Sequence, residues 1–235
     1  MALFLQDLVS VSHAPLRGIL PEEGDVTVLL SLLSSDAPFW RQLEELLPQE
    51  EFRQLGAHIF VSKEASVAEN AYLGEYTVIG AGTEVRPGAY IRGRALIGQG
   101  CVVGNSTEVK NAILFDGVQA PHYNYVGDSV LGYKAHMGAG AIASNVRADK
   151  GQVSLWTPEG KLSTGLRKLG TILGDFAEIG CNSVLCPGSV VGRRGQVYPL
   201  SCVRGYVPAD SIYKREGTVV SRRSAEEMEK GGAQA

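Results

Sequence analysis

The chain has 235 residues, of which 22 are Lys or Arg and 25 are Asp or Glu, so its formal net charge is only −3. This balance excludes the strongly basic surface of proteins that bind nucleic acids or anionic membranes, and no apolar run reaches the ~18 residues of a transmembrane helix. The N-terminus has no signal-peptide pattern and the four cysteines form no Cys-x-x-Cys pair, so we expect a cytoplasmic protein with structural thiols.

The N-terminal residues 1–57 are predicted to form a small α/β cap. An apolar run covers residues 26–33, and a helical pattern then begins with Asp36 as N-cap and Pro38 just inside, continuing to about Leu55. Such elements would cover the open end of the repeat that follows, because an open coil exposes apolar surface and unpaired backbone groups.

A six-residue period starts at Val61 and governs most of the remaining chain. The aliphatic positions are Val61, Val67, Leu73, Ile79, Val85, Ile91, Ile97, Val103 and Val109, then Leu131, Met137 and Ala143, then Leu173, Ile179, Leu185, Val191, Val197 and Val203. Many are followed by glycine, of which the chain has 29. Neither a helix nor an ordinary strand has this period. Short strands with a corner every six residues do, with one side chain per strand pointing inward and glycine giving the corner backbone freedom. Three such strands make a coil of roughly eighteen residues, and the coils stack at ~4.8 Å. The sequence therefore predicts an all-β solenoid over residues 58–208.

The period has two irregularities. The register slips between Ala112 and Asn124, and residues 146–170 interrupt it after Asn145. This second segment contains QVSLW and KLSTG around a Pro-Glu-Gly turn, which predicts an inserted hairpin. Residues 209–235 are predicted to be a C-terminal extension with a mobile tail from Ser221.

Polar groups collect near the first irregularity, in the segment APHYNYVGDS at residues 120–129. Histidine is the side chain most easily poised as a base at neutral pH. The residues alone leave two interpretations of His122 open: a reactive group, or a polar residue in a surface turn.

The segment VGNSTEVKNAILFDGVQAPHYNYVGDSVLGYKAHMGAGAIASN resembles the acetyltransferase domain of the bifunctional N-acetylglucosamine-1-phosphate uridylyltransferase/glucosamine-1-phosphate acetyltransferase family. In that family the motifs read V-G-N-F-V-E-x-K, H-L-x-Y-x-G-D, N-I-G-A-G-T and C-N-Y, and the likeness covers residues 86–203. It implies a left-handed β-helix and a homotrimer with sites between neighbours. It also implies acyl transfer, with acetyl as the expected group, from acyl-coenzyme A to an amino sugar phosphate or nucleotide sugar, with no metal.

The resemblance also implies roles for individual residues. His122 falls on the general base, and Glu108 on an acid that orients its imidazole. The substrate contacts implied are Arg92, Lys110, Tyr125, Asn145, His136 and Lys168. Arg92 and Lys110 would hold a phosphate. The coenzyme positions implied are Ala139, Cys181 and Pro199.

Some positions differ from the family pattern. Val146 replaces the tyrosine of C-N-Y, and His136 replaces the asparagine of N-I-G-A-G. Cys181 and Pro199 replace a serine and an alanine on the coenzyme side. The sugar side therefore matches better than the coenzyme side. This keeps open an alternative: a divergent sugar-nucleotide-binding or nucleotidyltransferase-related protein with no acyl transfer, or a scaffold that binds neither ligand.

Two related activities are not expected from this sequence. It contains no L-x-x-G-x-G-T-R-M loop to cradle the triphosphate of a uridylyl transfer. Gamma-class carbonic anhydrases use three zinc-binding histidines on such a solenoid, but His122 and His136 lack the close pair that this site requires.

Overall fold

A computed structural model describes residues 4–14, 20–21, 24, 26–32, 38–48, 50–214 and 218–221. The helices are α1 Leu5–Leu8, α2 Thr27–Leu32 and α3 Phe39–Leu46, with a 3-10 turn at Val11–His13. The strands are β1 Phe52–Gly56, β2 Ile59–Ser62, β3 Ser66–Val67, β4 Tyr72–Leu73, β5 Thr77–Ile79, β6 Glu84–Val85, β7 Tyr90–Ile91, β8 Ala95–Ile97, β9 Val102–Asn105, β10 Glu108–Leu114, β11 Gln119–His122, β12 Tyr125–Leu131, β13 His136–Met137, β14 Ile142–Ala143, β15 Ser154–Thr157, β16 Gly160–Ser163, β17 Thr171–Leu173, β18 Glu178–Ile179, β19 Val184–Leu185, β20 Ser189–Val191, β21 Gln196–Val197, β22 Cys202–Val203, β23 Tyr206–Val207, β24 Ser211–Tyr213 and β25 Val219–Ser221.

Most of these strands stack in three parallel ladders, which are the faces of a triangular coil. Face 1 contains β2, β5, β8, the C-terminal halves of β10 and β12, β17, β20 and β23. Face 2 contains β3, β6, β9, β11, β13, β18, β21 and β24. Face 3 contains β4, β7, the N-terminal halves of β10 and β12, β14, β19 and β22. The predicted fold class, a parallel β-helix of hexapeptide repeats, is confirmed.

The core is a column of inward aliphatic side chains. All of the predicted inward positions are buried except Val67 and Leu73, which are partly buried. Burying a Val, Leu or Ile side chain contributes about 1.5–3 kcal/mol, so this column is a major source of the stability of the solenoid.

The register slip predicted between Ala112 and Asn124 has a different position in the structure. Leu114 pairs with Ile97 of the preceding coil, so the inward positions advance by only five residues from Val109 to Leu114. The lost residue belongs to the corner between faces 3 and 1, and the next coil repeats the shortening because it pairs in register with this one. We call this the short corner.

The corner between faces 2 and 3, which carries His122, keeps the six-residue spacing. Ala120 pairs with Val103 and Val126 with Val109, so both coils advance by six residues here. We call this the histidine corner. The prediction that the repeat breaks at His122 was therefore wrong.

Several glycines that were predicted to give the corners backbone freedom are needed for another structural reason. Gly104 does not have a positive φ, but a Cβ on it would overlap the carbonyl group of Pro121 in the next coil. The left-handed conformation falls two residues later, at Ser106 with φ 54° and, one coil on, Tyr123 with φ 53°. At this position glycine is needed because two coils approach closely, and not because the corner requires a positive φ.

The N-terminal region differs in part from the predicted cap. Helix α3 ends at Leu46, not near Leu55, and β1 pairs antiparallel with β2 at the edge of the first coil. The predicted N-cap Asp36 lies outside the described residues. The first helices lie along the middle coils, because the Asp175 N–H donates to the Leu8 carbonyl at 2.9 Å and Ser10 Oγ donates to Asp175 Oδ2 at 2.7 Å.

The inserted hairpin is confirmed. Strands β15 and β16 pair antiparallel, with Trp156 opposite Lys161. The parallel ladder continues to β24, which pairs antiparallel with β25, and the predicted tail at residues 222–235 lies outside the described residues. Within the described chain, no helix has the length and hydropathy needed to cross a membrane.

Candidate active site

His122 is the last residue of β11, and its side chain is exposed at the histidine corner. The turn behind it is held by Asn124, which is 2% exposed. The Asn124 Oδ1 accepts the His122 N–H at 3.1 Å, and its Nδ2 donates to the Gly138 carbonyl of the next coil at 2.7 Å. Because a buried amide with both ends bonded is fixed in place, the His122 imidazole projects from a rigid backbone.

The predicted coenzyme positions lie in one column with His122. The Gly140 N–H donates to the His122 carbonyl, the Asn182 N–H to the Ala139 carbonyl and the Leu200 N–H to the Cys181 carbonyl. Consequently His122, Ala139, Cys181 and Pro199 occupy the same corner position in four successive coils, each step roughly 4.8 Å. The sequence spacing did not display this alignment, because the hairpin separates Ala139 from Cys181.

Glu108 begins face 3 beside this corner, and Arg92 lies at the other end of the face, level with Lys110. Arg92 Nη1 donates to Glu108 Oε1 at 2.8 Å, and both side chains are partly exposed. This hydrogen bond to Glu108 raises the pKa of the Arg92 guanidinium. Within the described chain the Glu108 carboxylate makes its hydrogen bond with Arg92 rather than with His122, and its role as the orienting acid remains a prediction.

The short corner holds a buried polar network around Asp128, which is 5% exposed. Asp128 accepts from Lys110 Nζ at 3.3 Å, from Asn111 Nδ2 at 2.8 Å and from Asn145 Nδ2. A carboxylate this deeply buried is tolerated only when it is paired and hydrogen-bonded. Sequence reasoning had left Asn111 and Asp128 out of the site. The signal for them was the five-residue step, since the shortened turn places both in the left-handed region, with φ of 46° and 49°.

Tyr125 extends the network onto face 3. Its hydroxyl accepts from Asn145 Nδ2 at 3.1 Å. Burial raises the Tyr125 pKa, and the negative charges of Asp128 and Glu108 raise it further. The hydroxyl therefore stays protonated at neutral pH, and because it accepts from Asn145, it can still donate its own proton. Gly127 makes the position possible, because a Cβ there would lie 2.5 Å from the Tyr125 hydroxyl.

The two remaining predicted substrate contacts, Lys168 and His136, lie at the edge of this group of residues. Lys168 is exposed and adjoins Leu169, whose N–H donates to the Asn145 carbonyl at 3.0 Å. His136 lies on face 2, around the histidine corner from Tyr125, and its Nδ1 is 2.8 Å from Glu178 Oε2. The structure thus brings Arg92, Glu108, Lys110, Tyr125 and Asn145 together along face 3 and the adjoining short corner, and it places His136 apart from them on face 2. Among the described residues, no three His, Cys, Asp or Glu side chains are grouped to hold a metal ion.

No family model matches the chain. Over 107 residues it is 34% identical to a bifunctional sugar-1-phosphate nucleotidylyltransferase/acetyltransferase from Sulfurisphaera tokodaii, a match covering 46% of this chain and 27% of that protein. Over 118 residues it is 30% identical to the bifunctional protein GlmU of Methanococcus maripaludis strain C5, covering 50% of this chain and 28% of that protein. The predicted resemblance is confirmed.

The chain spans little more than a quarter of the length of these curated relatives. Among solved structures, it is similar to AntD, an N-acyltransferase from Bacillus cereus in complex with dTDP and 3-hydroxybutyryl-CoA. That likeness has a TM-score of 0.36 and 17% identity, and covers 81% of this chain and 93% of AntD.

Proposed function

We propose that this protein transfers an acyl group, in the first instance acetyl, from acyl-coenzyme A to the amine of an amino sugar that carries a phosphate. The observation that carries the proposal is the column of His122, Ala139, Cys181 and Pro199 beside the polar surface of Arg92, Lys110 and Tyr125. The similarity to a curated bifunctional sugar-1-phosphate nucleotidylyltransferase/acetyltransferase supports it.

In this reaction the amine nitrogen attacks the thioester carbonyl carbon while the neutral His122 imidazole takes the amine proton. The tetrahedral intermediate then collapses, the carbon–sulfur bond breaks, and the imidazolium returns the proton to the departing thiolate of coenzyme A. A histidine suits both steps because its pKa lies near neutrality.

The polar surface would hold the acceptor. Arg92 uses Nη1 for Glu108, which leaves further guanidinium N–H donors for a phosphate. The Tyr125 proton is available to a sugar oxygen. This division assigns recognition to face 3 and proton transfer to the histidine corner.

The test replaces His122 with Ala and measures acetylation of glucosamine 1-phosphate by acetyl-coenzyme A. We expect a loss of at least about 100-fold, in the range that a general base contributes, with an unchanged circular dichroism spectrum. His58→Asn is the matched control, because it removes another histidine, stacked on Tyr76 at 4.6 Å, and asparagine tolerates the positive φ of 57° there.

Unchanged turnover in His122→Ala would refute the proposal that His122 is the general base. Titration calorimetry with each ligand is an independent test. Binding of the sugar phosphate without binding of acetyl-coenzyme A would favour the alternative of a sugar-nucleotide-binding protein.

We also propose that the working form is a homotrimer. Face 3 leaves a column of large side chains exposed, with Tyr72 at 55%, Tyr90 at 44% and Val184 at 37%. A neighbouring copy would cover them and supply the opposite wall of the cleft. Sedimentation equilibrium is expected to give three times the mass of one chain, and a monomeric mass at working concentration would contradict it.

A further inference from the structure

A cavity of about 400 Å³ lies where the β15–β16 hairpin meets face 3. Its walls include Arg147, Asp149, Trp156, Lys161, Cys186 and Arg204, and we call it the hairpin pocket. Its volume is within the range of small-molecule sites, roughly 300–1,000 Å³. None of the residues predicted from the sequence to bind substrate or coenzyme is among these wall residues.

The hairpin pocket is held in shape by the way the hairpin is docked. The Trp156 N–H donates to the Gly188 carbonyl at 3.0 Å. Gly188 has a φ of 77°, and a Cβ on it would overlap the Ser154 carbonyl. Val153, just before β15, and Leu155 within it are both buried. The backbone that carries Trp156 is therefore anchored to the solenoid before any ligand arrives, which lowers the entropic cost of binding.

The lining chemistry fits a flat ring joined to phosphates. Three cations, Arg147, Lys161 and Arg204, face one carboxylate, Asp149, which Arg147 binds through two nitrogens. These four side chains together carry a net charge of +2. Lys161 Nζ lies 4.7 Å from the centre of the Trp156 ring, so an aromatic surface and a cation are presented together. Such a pair favours anionic ligands that carry an aromatic base.

The hairpin pocket lies near the candidate site along the stack of coils. Its wall begins at Val146, the residue after Asn145, whose amide contacts Tyr125. Tyr125 pairs with Ile142, and Ile142 with Val184 of the Cys186 coil. The two regions are thus two coil steps apart, roughly 10 Å along the stack, a separation that a diphosphate linker can bridge.

We propose that the hairpin pocket binds the nucleoside diphosphate part of the acceptor, so that the acceptor is a nucleotide-linked amino sugar. The identity of the sugar end rests on the proposed function, whereas nucleotide binding in the hairpin pocket does not require acyl transfer.

The thiols of the chain provide the test. Cys186 lines the hairpin pocket, and Cys181 lies exposed at the histidine corner. We would reduce the full-length protein, label it with N-ethylmaleimide, and follow both cysteines by peptide mass spectrometry with UDP, GDP or dTDP present. At least one of these nucleotides is expected to slow Cys186 labelling about tenfold at ten times its dissociation constant, and to leave Cys181 unchanged.

Arg204→Ala is expected to abolish this protection. Arg194→Ala, which removes an exposed arginine paired with Asp210 at another corner, is expected to retain it. Absence of protection by all three nucleotides at millimolar concentration overturns the proposal. Protection of Cys186 by acetyl-coenzyme A as strong as that by the nucleotides also overturns it, because the hairpin pocket would then belong to the coenzyme.

The two proposals fail separately. If His122→Ala keeps its turnover but UDP still protects Cys186, only the catalytic base is refuted. If glucosamine 1-phosphate is acetylated and no nucleotide protects Cys186, only the hairpin pocket is refuted.

Discussion

The two corners that bound face 3 are built in different ways. The histidine corner keeps the six-residue period, and its His122 side chain is exposed. The short corner has lost one residue in each of two coils, and it buries Asp128 among Lys110, Asn111 and Asn145. One corner thus presents a reactive group on a regular backbone, and the other uses an irregular backbone to fix a polar network.

The two corners are therefore suited to different roles, the histidine corner to proton transfer and the short corner to holding neighbouring residues in position. An exposed imidazole contributes little to stability and is free to exchange protons with a ligand. A buried carboxylate with three donors contributes through the rigidity that it imposes on its neighbours. Substitutions at the two corners are therefore expected to change different measurements.

The largest expected difference between the corners is in stability. Asp128→Ala leaves Lys110 without its carboxylate, Asn111 without this acceptor and Asn145 with the Tyr125 hydroxyl alone, and we expect the free energy of unfolding to fall by about 3 kcal/mol. His122→Ala is expected to change it by less than about 0.5 kcal/mol. Denaturant titration measures both. Asp128→Asn is the control for backbone strain, because asparagine tolerates the positive φ. Equal losses of unfolding free energy in Asp128→Ala and His122→Ala would contradict the view that only the short corner has a structural role.

A glycine pair tests what supports the histidine corner. Gly104→Ala forces a methyl group against Pro121, next to His122, and is expected to cost about 3 kcal/mol by overpacking. Gly100→Ala is the matched control, since Gly100 has a φ of 61° with open space around it, and the left-handed strain alone costs about 1–2 kcal/mol. Thermal unfolding compares the two. A larger loss at Gly100 would mean that corner freedom, and not close approach, is what the glycines supply.

The smallest expected effect is at the Tyr125 hydroxyl. Tyr125→Phe removes a hydrogen bond to the acceptor, so the KM for the acceptor is expected to rise about tenfold, equivalent to about 1.4 kcal/mol, with little change in kcat. The raised Tyr125 pKa keeps the hydroxyl protonated, so the difference from wild type is expected to stay constant between about pH 6 and about pH 9. Tyr206→Phe is the control, because Tyr206 is also half-buried but lies on face 1. A fall in kcat at unchanged KM would place Tyr125 in the chemistry.

The sequence by itself determined the solenoid, its inward residues and the inserted hairpin. Each of these depends on patterns that repeat within about six residues or on one local turn, such as Pro158-Glu159-Gly160. The resemblance to the acetyltransferase domain also came from one continuous stretch of chain. Local periodicity is sufficient for these features because each strand buries its own aliphatic side chain.

Only the tertiary structure decided which residues meet across the coils. The sequence did not indicate that Glu108 pairs with Arg92, that Asp128 collects three donors, or that Trp156 and Arg204 share a pocket. Contact between coils depends on the number of residues in each coil, and one lost residue at the short corner shifts every pairing that follows. The hairpin adds a further offset. The sum of such offsets fixes which side chains are neighbours, and no local pattern contains that sum.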